Sequence, residues 1–480
     1  MRRTSIIVIT CALGLSLGAA SAPAALHPDA PDARHSLAPP YSSARSTPVE
    51  DPYYPKHGDP RVDTLHYGLD LRWQPKTRTL SGTATIALRI TRATGVVQLD
   101  LGAPLKVSRV LLDGHRARFT HPGNVVRIYH RGLRANSRHR LVISYRGTPR
   151  PVHAPTTRSD FERTGWTIRP NGTVWTMQEP FGAFTWYPVN DQPSDKAYYD
   201  FRIDVPGRWV GIANGKLTSR HTRKSRTVTR WHLASPTASY LTTIAIGDYQ
   251  RYRDTGPHGL PMAYWLPKGS PDRWLHILRR MPHMLHWLEA KLGPYPFDRA
   301  GAVVVPSQSA METQTLVTMG SGAFKRSDRV AVVLHELAHQ WYGDSVTPTT
   351  WPDLWLNEAF AMYIQALWQS QHGGPSMADQ ALFWTWNDQY SRSGDGPPGA
   401  WHRDQFGANC VYTCGALVLY KLRHRIGPDT FARALRAWPQ RHRFANASRD
   451  SYIAWLDRFS HARNGPWLKR VLEAENSPFD

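Results

Sequence analysis

The stretch "VVLHELAHQWYG" carries three side chains of the type and spacing that do chemistry: His335, Glu336 and His339. On a helix the two histidines stand one turn apart and project from one face, so both imidazoles can reach a single metal ion. Glu336 points slightly aside, where a carboxylate can polarise a water instead of binding the metal. Alone, the pattern arises by chance in roughly one in fifty chains of this composition, and the bland reading is an amphipathic helix with solvated histidines. Val332, Val333, Leu334, Leu337 and Ala338 crowd the pair, however. They make the helix largely buried, where histidines without a partner are costly.

A catalytic zinc ion takes three protein ligands and keeps one position open. The third ligand expected here is Glu358 in "WPDLWLNEAF", nineteen residues beyond His339. The intervening "GDSVTPTTWP" is turn-rich, so a second helix can begin near Pro352 and return beside the first. Requiring a glutamate at that spacing lowers the chance estimate to about one in several thousand. The expectation is one Zn2+ per chain on His335, His339 and Glu358, with Glu336 as the general base.

The elements that must position these groups fall into two kinds. From Thr64 onward "HYGLDLRW", "SGTATIALRI", "GVVQLDL", "NVVRIYH", "RLVISYRG", "YYDFRIDV", "RTVTRWHLA" and "YLTTIAIGDY" alternate or run apolar between Gly, Pro and Asn, which predicts strands. After "DTGPHGLP" the spacing turns helical in "DRWLHILRRMPHMLHWLEAKLG", followed by a short strand "AGAVVVP" and an edge strand at "AMETQTLVTM". Helical patterns dominate from Ser327 to the end, and no internal repeat is evident. The fold class expected is multidomain: an all-β N-terminal domain over residues 51–255, then a mostly helical α+β domain over residues 256–480.

Composition bounds the rest. The 19 Trp and 20 Tyr are scattered without period, which favours core packing over a carbohydrate-binding face. A net charge of +22 would suit nucleic acid, but the basic residues are spread along the chain and no nucleic-acid motif accompanies them, so no specific nucleic-acid partner is expected. Met1-Arg2-Arg3 and the apolar run "SIIVITCALGLSLGAA" read as a signal peptide over residues 1–24, followed by a flexible Pro/Ala/Ser-rich leader over residues 25–50. A secreted or envelope-associated protein follows, with no transmembrane segment in the mature chain and a monomer as the expected state. Only Cys410 and Cys414 remain after such cleavage; they could pair in an oxidising compartment or stay as two buried thiols.

His-Glu-x-x-His, eighteen residues, then Glu in an "LWLNEAF" context resembles the M1 aminopeptidases, a gluzincin family. The resemblance runs from about residue 67 to 470, and "GTVWTMQEPFGAFTWYPVNDQPSDKAYYDFRIDVP" is similar to the family's β-domain segment. It implies that Glu312 in "SAMETQ" and Glu179 in "TMQEP" bind the free α-amino group of a peptide substrate, and that Tyr412 in "VYTCGAL" hydrogen-bonds the developing oxyanion. The resemblance also implies a saddle-like form for the β domain, a thermolysin-like fold for the catalytic domain, and hydrolysis of the N-terminal peptide bond as the activity. Four of the nine glutamates of the chain fall at family positions. Ser309 and Thr313 depart from the family's Gly and Asn, Met177 from a frequent Gln, and Cys414 from a Lys; a short form, without the family's long C-terminal helical domain, is expected. Two alternatives stand beside the aminopeptidase reading: a thermolysin-like endopeptidase, which needs no amine anchor, and a zinc-bearing binding protein without turnover.

Overall fold

The computed structural model describes residue 41 and residues 44–479. The strand Val62–Gln74 shows why the first half is sheet. Tyr67, Leu69, Leu71 and Trp73 are buried on one face while Asp70 and Arg72 are exposed on the other, the period-2 signature of a half-buried strand. It pairs in parallel with Lys196–Pro206 and antiparallel with Thr79–Ile90, at the centre of an eight-stranded sheet. A second sheet of five strands runs in the order Val210–Ala213, Ile244–Gly247, Val174–Met177, Arg163–Ile168 and Val152–His153. The segment ending at Met177 leads directly to Glu179.

A four-stranded mixed sheet then joins Tyr249–Thr255, Pro261–Pro267, Ala300–Val305 and Val317–Gly320. Ala300–Val305 is parallel to both neighbours and buried along its whole length, which is why it reads "AGAVVV" without alternation. The main helices that follow are Arg329–Ala338, Trp355–Ser370, Met377–Asp395, Asn409–Ile426, Pro428–Arg441, Arg449–Ser460 and Gly465–Glu473. The architecture is a sheet-rich N-terminal domain followed by a helical domain. Fourteen of the 19 tryptophans are buried, so most of this aromatic content is core, while Phe383, Trp386 and Tyr390 stay exposed. Trp351, Leu354, Trp401, Phe406 and Val411, all from the helical half, share one core cluster with the β half.

Three local readings change. The pattern over residues 272–293 is two helices, Asp272–Leu278 and Met281–Leu292, because Pro282 has no N–H for the ladder. The edge strand expected across residues 310–319 is a fold-back: Met311 bridges Thr318, and a tight turn with Thr315 at φ 66° separates them. Residues 44–50, the end of the expected leader, are docked rather than free. Ser46 N donates to Asp63 (3.0 Å), Arg89 donates to Ser46 O (2.8 Å), and Val49 N donates to Ser194 Oγ (3.1 Å). The expected signal peptide and most of the leader lie outside the described residues. Among the described residues no helix is long and apolar enough to cross a membrane.

Candidate active site

The helix Arg329–Ala338 buries Val333, Leu334, Leu337 and Ala338, and this fixes the opposite side of the same turns toward a cleft. His335 and His339 bring their Nε2 atoms to 3.1 Å from each other. His339 Nδ1 lies 3.0 Å from Tyr342 O. A carbonyl only accepts, so Nδ1 carries the proton and Nε2 presents its lone pair to the cleft. The chain can turn back at this point because Gly343 takes φ 131°, a conformation that side-chain-bearing residues rarely adopt.

Glu358 arrives as the sequence predicted. A short 3-10 turn, Trp351–Asp353, leads into the helix Trp355–Ser370, and Glu358 sits in its first turn. The turn is held from the N-terminal segment, where Asp51 accepts Trp351 N at 2.7 Å. Glu358 Oε2 lies 3.3 Å from His335 Nε2 and 3.3 Å from His339 Nε2. Donors that each sit at about 2.0–2.1 Å from a tetrahedral ion are about 3.3 Å apart, so this triad fits zinc in both chemistry and spacing. Burial pushes the Glu358 carboxyl up, but the two imidazoles, His339 foremost, hold it below the ordinary range.

All seven residues expected from the sequence line one cleft of about 610 Å³: Glu179, Glu312, His335, Glu336, His339, Glu358 and Tyr412. Glu336 is buried there, and desolvation followed by the charge of Glu312 pushes its carboxyl well up. Glu312 is 3 % exposed and Glu179 is 7 % exposed, and an Oε1 atom of each is buried without a hydrogen-bond partner. Burial raises both carboxyls, and for Glu179 the neighbouring charge of Glu312 adds to it. Tyr412 stands in the first turn of the helix Asn409–Ile426 with its ring centroid 6.0 Å from that of His335. Cys410 and Cys414 flank it on the same helix and are disulfide-bonded.

Several positioning groups escaped the sequence reading. Gln340, the residue after His339, donates to Glu312 O (2.7 Å) and Asp344 (2.7 Å) and accepts Thr315 N (2.9 Å), so it pins the Glu312 turn to the metal-site helix. Gln178 spends its amide on Ser239 O (2.8 Å), Thr242 (2.6 Å) and Trp186 Nε1 (2.8 Å), which fixes the backbone beside Glu179. Thr313, a departure from the family motif, hydrogen-bonds Leu316 O (2.5 Å) and Thr318 (2.7 Å) within its own turn. Arg158, from a loop of the β half, donates to Tyr412 Oη at 3.1 Å. Glutamine, threonine and arginine at such places form no motif; only the fold reveals their partners.

A His-Glu-x-x-His helix, completed by a glutamate from the next helix and roofed by a β-rich domain, defines a zinc metallopeptidase. The Peptidase M1 N-terminal domain matches residues 63–241 and the Peptidase family M1 domain matches residues 278–472. The chain belongs to peptidase family M1, and its cofactor is zinc.

Among curated proteins it is 26 % identical to aminopeptidase N of Streptomyces lividans over 446 residues, 86 % of this chain and 50 % of that one. It is also 26 % identical to aminopeptidase N of Acetobacter pasteurianus over 326 residues, 63 % of this chain and 89 % of that one. The chain thus spans about half the length of the Streptomyces relative. Solved structures agree in fold. The M1 zinc metallopeptidase from Deinococcus radiodurans superposes with TM-score 0.80 at 28 % identity, covering 90 % of this chain and 98 % of that one. A mutant of the Deinococcus enzyme bound to a Tyr-Ser-Ala substrate matches with TM-score 0.80 at 27 % identity, covering 90 % and 98 %.

Proposed function

We propose that the protein is an aminopeptidase that hydrolyses the N-terminal peptide bond of substrates with a free α-amino group. One observation carries this reading: the two buried carboxylates of Glu179 and Glu312, each with an unpartnered oxygen, open into the cleft that holds the metal triad. Two acids in so dry a place call for a cation, and a substrate ammonium supplies one. Anchored there, the chain end reaches only as far as its first peptide bond, which limits cleavage to the terminus. The tripeptide bound by the Deinococcus relative supports the reading.

His335, His339 and Glu358 would hold the zinc ion, which when bound supplies Lewis-acid activation of a water and of the scissile carbonyl. Glu336 takes the proton of the attacking water and returns it to the leaving amine. Tyr412 donates its O–H to the oxygen on which negative charge develops. The amine anchors limit how far the peptide enters, so its first peptide bond is the one presented to Glu336.

Cleavage of free against N-acetylated peptides tests the proposal. Equal rates on the two would sink it in favour of an endopeptidase, and stoichiometric zinc without turnover would point to a binding protein. An extracytoplasmic location is part of the same proposal, supported by the basic-apolar N-terminus and by the Cys410–Cys414 disulfide.

A further inference from the structure

The loop after the strand Val152–His153 leaves the β half and is laced to the loop that precedes the Tyr412 helix. Phe406 N donates to Pro155 O (2.8 Å), Thr156 Oγ1 donates to Phe406 O (2.7 Å), and Thr157 Oγ1 donates to Gln405 Oε1 (2.6 Å). The next residue is Arg158, which lines the cleft. Its guanidinium is fully used. Nε and Nη2 grip the carboxylate of Asp160 at 3.1 and 2.8 Å, Nη2 also faces Ser309 Oγ at 3.5 Å, and Nη1 donates to Gly407 O and Tyr412 Oη at 3.1 Å each.

A bidentate Arg–carboxylate pair fixes the plane of the fork as well as its charge. With that plane fixed on Asp160, Nη1 is aimed at the phenol oxygen. Gly407 leaves the space for it. Its φ is 63°, and a Cβ built there would come within 3.1 Å of Arg158 Nη1 and 3.6 Å of Tyr412 Oη. The phenol oxygen accepts from Arg158 on one side, so its own O–H is left to donate into the cleft.

We infer that Arg158 is a positioning residue for the reaction: supplied by the β half and aimed by Asp160, it fixes the Tyr412 hydroxyl and polarises it toward the developing oxyanion. A mere clamp between the two halves would act on stability and be indifferent to the Tyr412 hydroxyl. The inference rests on the role proposed for Tyr412, and a double-mutant cycle separates the two. The full chain, with zinc content and melting temperature checked for each variant, is assayed on a free-amine aminoacyl fluorogenic substrate.

Tyr412→Phe should lower kcat by about a hundredfold, in the range expected for losing one oxyanion donor. Arg158→Gln should lower kcat by roughly tenfold with KM within about twofold, and should change kcat by less than about twofold once Tyr412 is already Phe. Arg158→Lys, which restores charge without the fork, should recover part of the loss. Asp160→Asn keeps the guanidinium but loosens its aim. It should give a smaller loss of kcat that also vanishes in the Tyr412→Phe background, so it serves if Arg158→Gln does not fold. Full activity in Tyr412→Phe would overturn both the Tyr412 role and this inference. A Tyr412→Phe loss combined with equal effects of Arg158→Gln in both backgrounds, or with no effect at all, would overturn the inference alone.

Discussion

Glu312→Gln is the sharpest single test of the amine anchor. The substitution keeps the shape of the side chain and removes its charge. The backbone will not follow, because Gln340 holds Glu312 O at 2.7 Å and Met311 and Thr318 exchange two hydrogen bonds of 2.9 Å. What changes is the pairing of a buried acceptor with a substrate ammonium. A hydrogen bond to a charged group is worth about 1.5–3 kcal/mol, which corresponds to roughly 10- to 150-fold in kcat/KM. Glu179 supplies the second acceptor from the β half, so Glu179→Gln should cost a similar factor, and the two losses should combine less than additively because both grip one ammonium. Stability should move the other way. Both carboxyls are raised by burial, Glu179 also by the charge of Glu312, so neutralising Glu312 relieves an unfavourable arrangement and should raise the melting temperature. The assay is kcat/KM on an aminoacyl fluorogenic substrate and its N-acetylated twin, with zinc content measured alongside. A variant with full zinc that stays within about twofold of the parent on the free-amine substrate would refute the anchor.

Three further outcomes follow from the same geometry. Glu336→Gln should retain zinc, since His335, His339 and Glu358 are untouched, and lose hydrolysis by at least the 10²- to 10⁴-fold typical of a missing general base; residual activity near the parent's would exclude Glu336 from that role. Burial holds the His57 imidazole, stacked 4.0 Å from the Phe181 ring, down to about 4 from its ordinary 6.5. Between those values the unfolded chain takes a proton that the folded chain refuses, so this stability is fully present above pH 6.5 and lost as pH falls toward 4, by about 3 kcal/mol in all. His57→Phe, which keeps the stack, should flatten melting temperature against pH across that window, and an unchanged slope would contradict the assignment. Finally, thiol titration of unfolded, unreduced mature protein should find Cys410 and Cys414 blocked; two free thiols would rule the disulfide out.

How much of this was legible in the sequence depended on what kind of constraint each residue obeys. The metal triad was legible because helical geometry turns a spacing of four into a shared face, and a turn-rich linker of fixed length returns Glu358 to it. The strands were legible where one face is wet, as in Val62–Gln74, and blurred in the fold-back after Met311, where a turn through Thr315 interrupts what reads as one edge strand. The break at Pro282 was visible in principle and was overridden by the strong apolar periodicity on either side.

Partnerships across the domain boundary obey no such spacing. Arg158 and Tyr412 are 254 positions apart, and the backbone beside Glu179 is held by Gln178 through Ser239, Thr242 and Trp186. Nothing in the sequence couples "TTRSDF" to "VYTCGAL"; the coupling exists because two loops are laced together and because Gly407 lacks the Cβ that would crowd the guanidinium at 3.1 Å. The active site is therefore two layers. The layer proposed to bind metal and move the proton lies within the helical domain and is written as a local pattern. The layer proposed to grip the substrate amine and aim the oxyanion donor is assembled from both domains. It follows that substitutions at the Pro155–Phe406 and Thr157–Gln405 contacts should spare zinc binding while degrading turnover, a separation that a site built within one domain would not show.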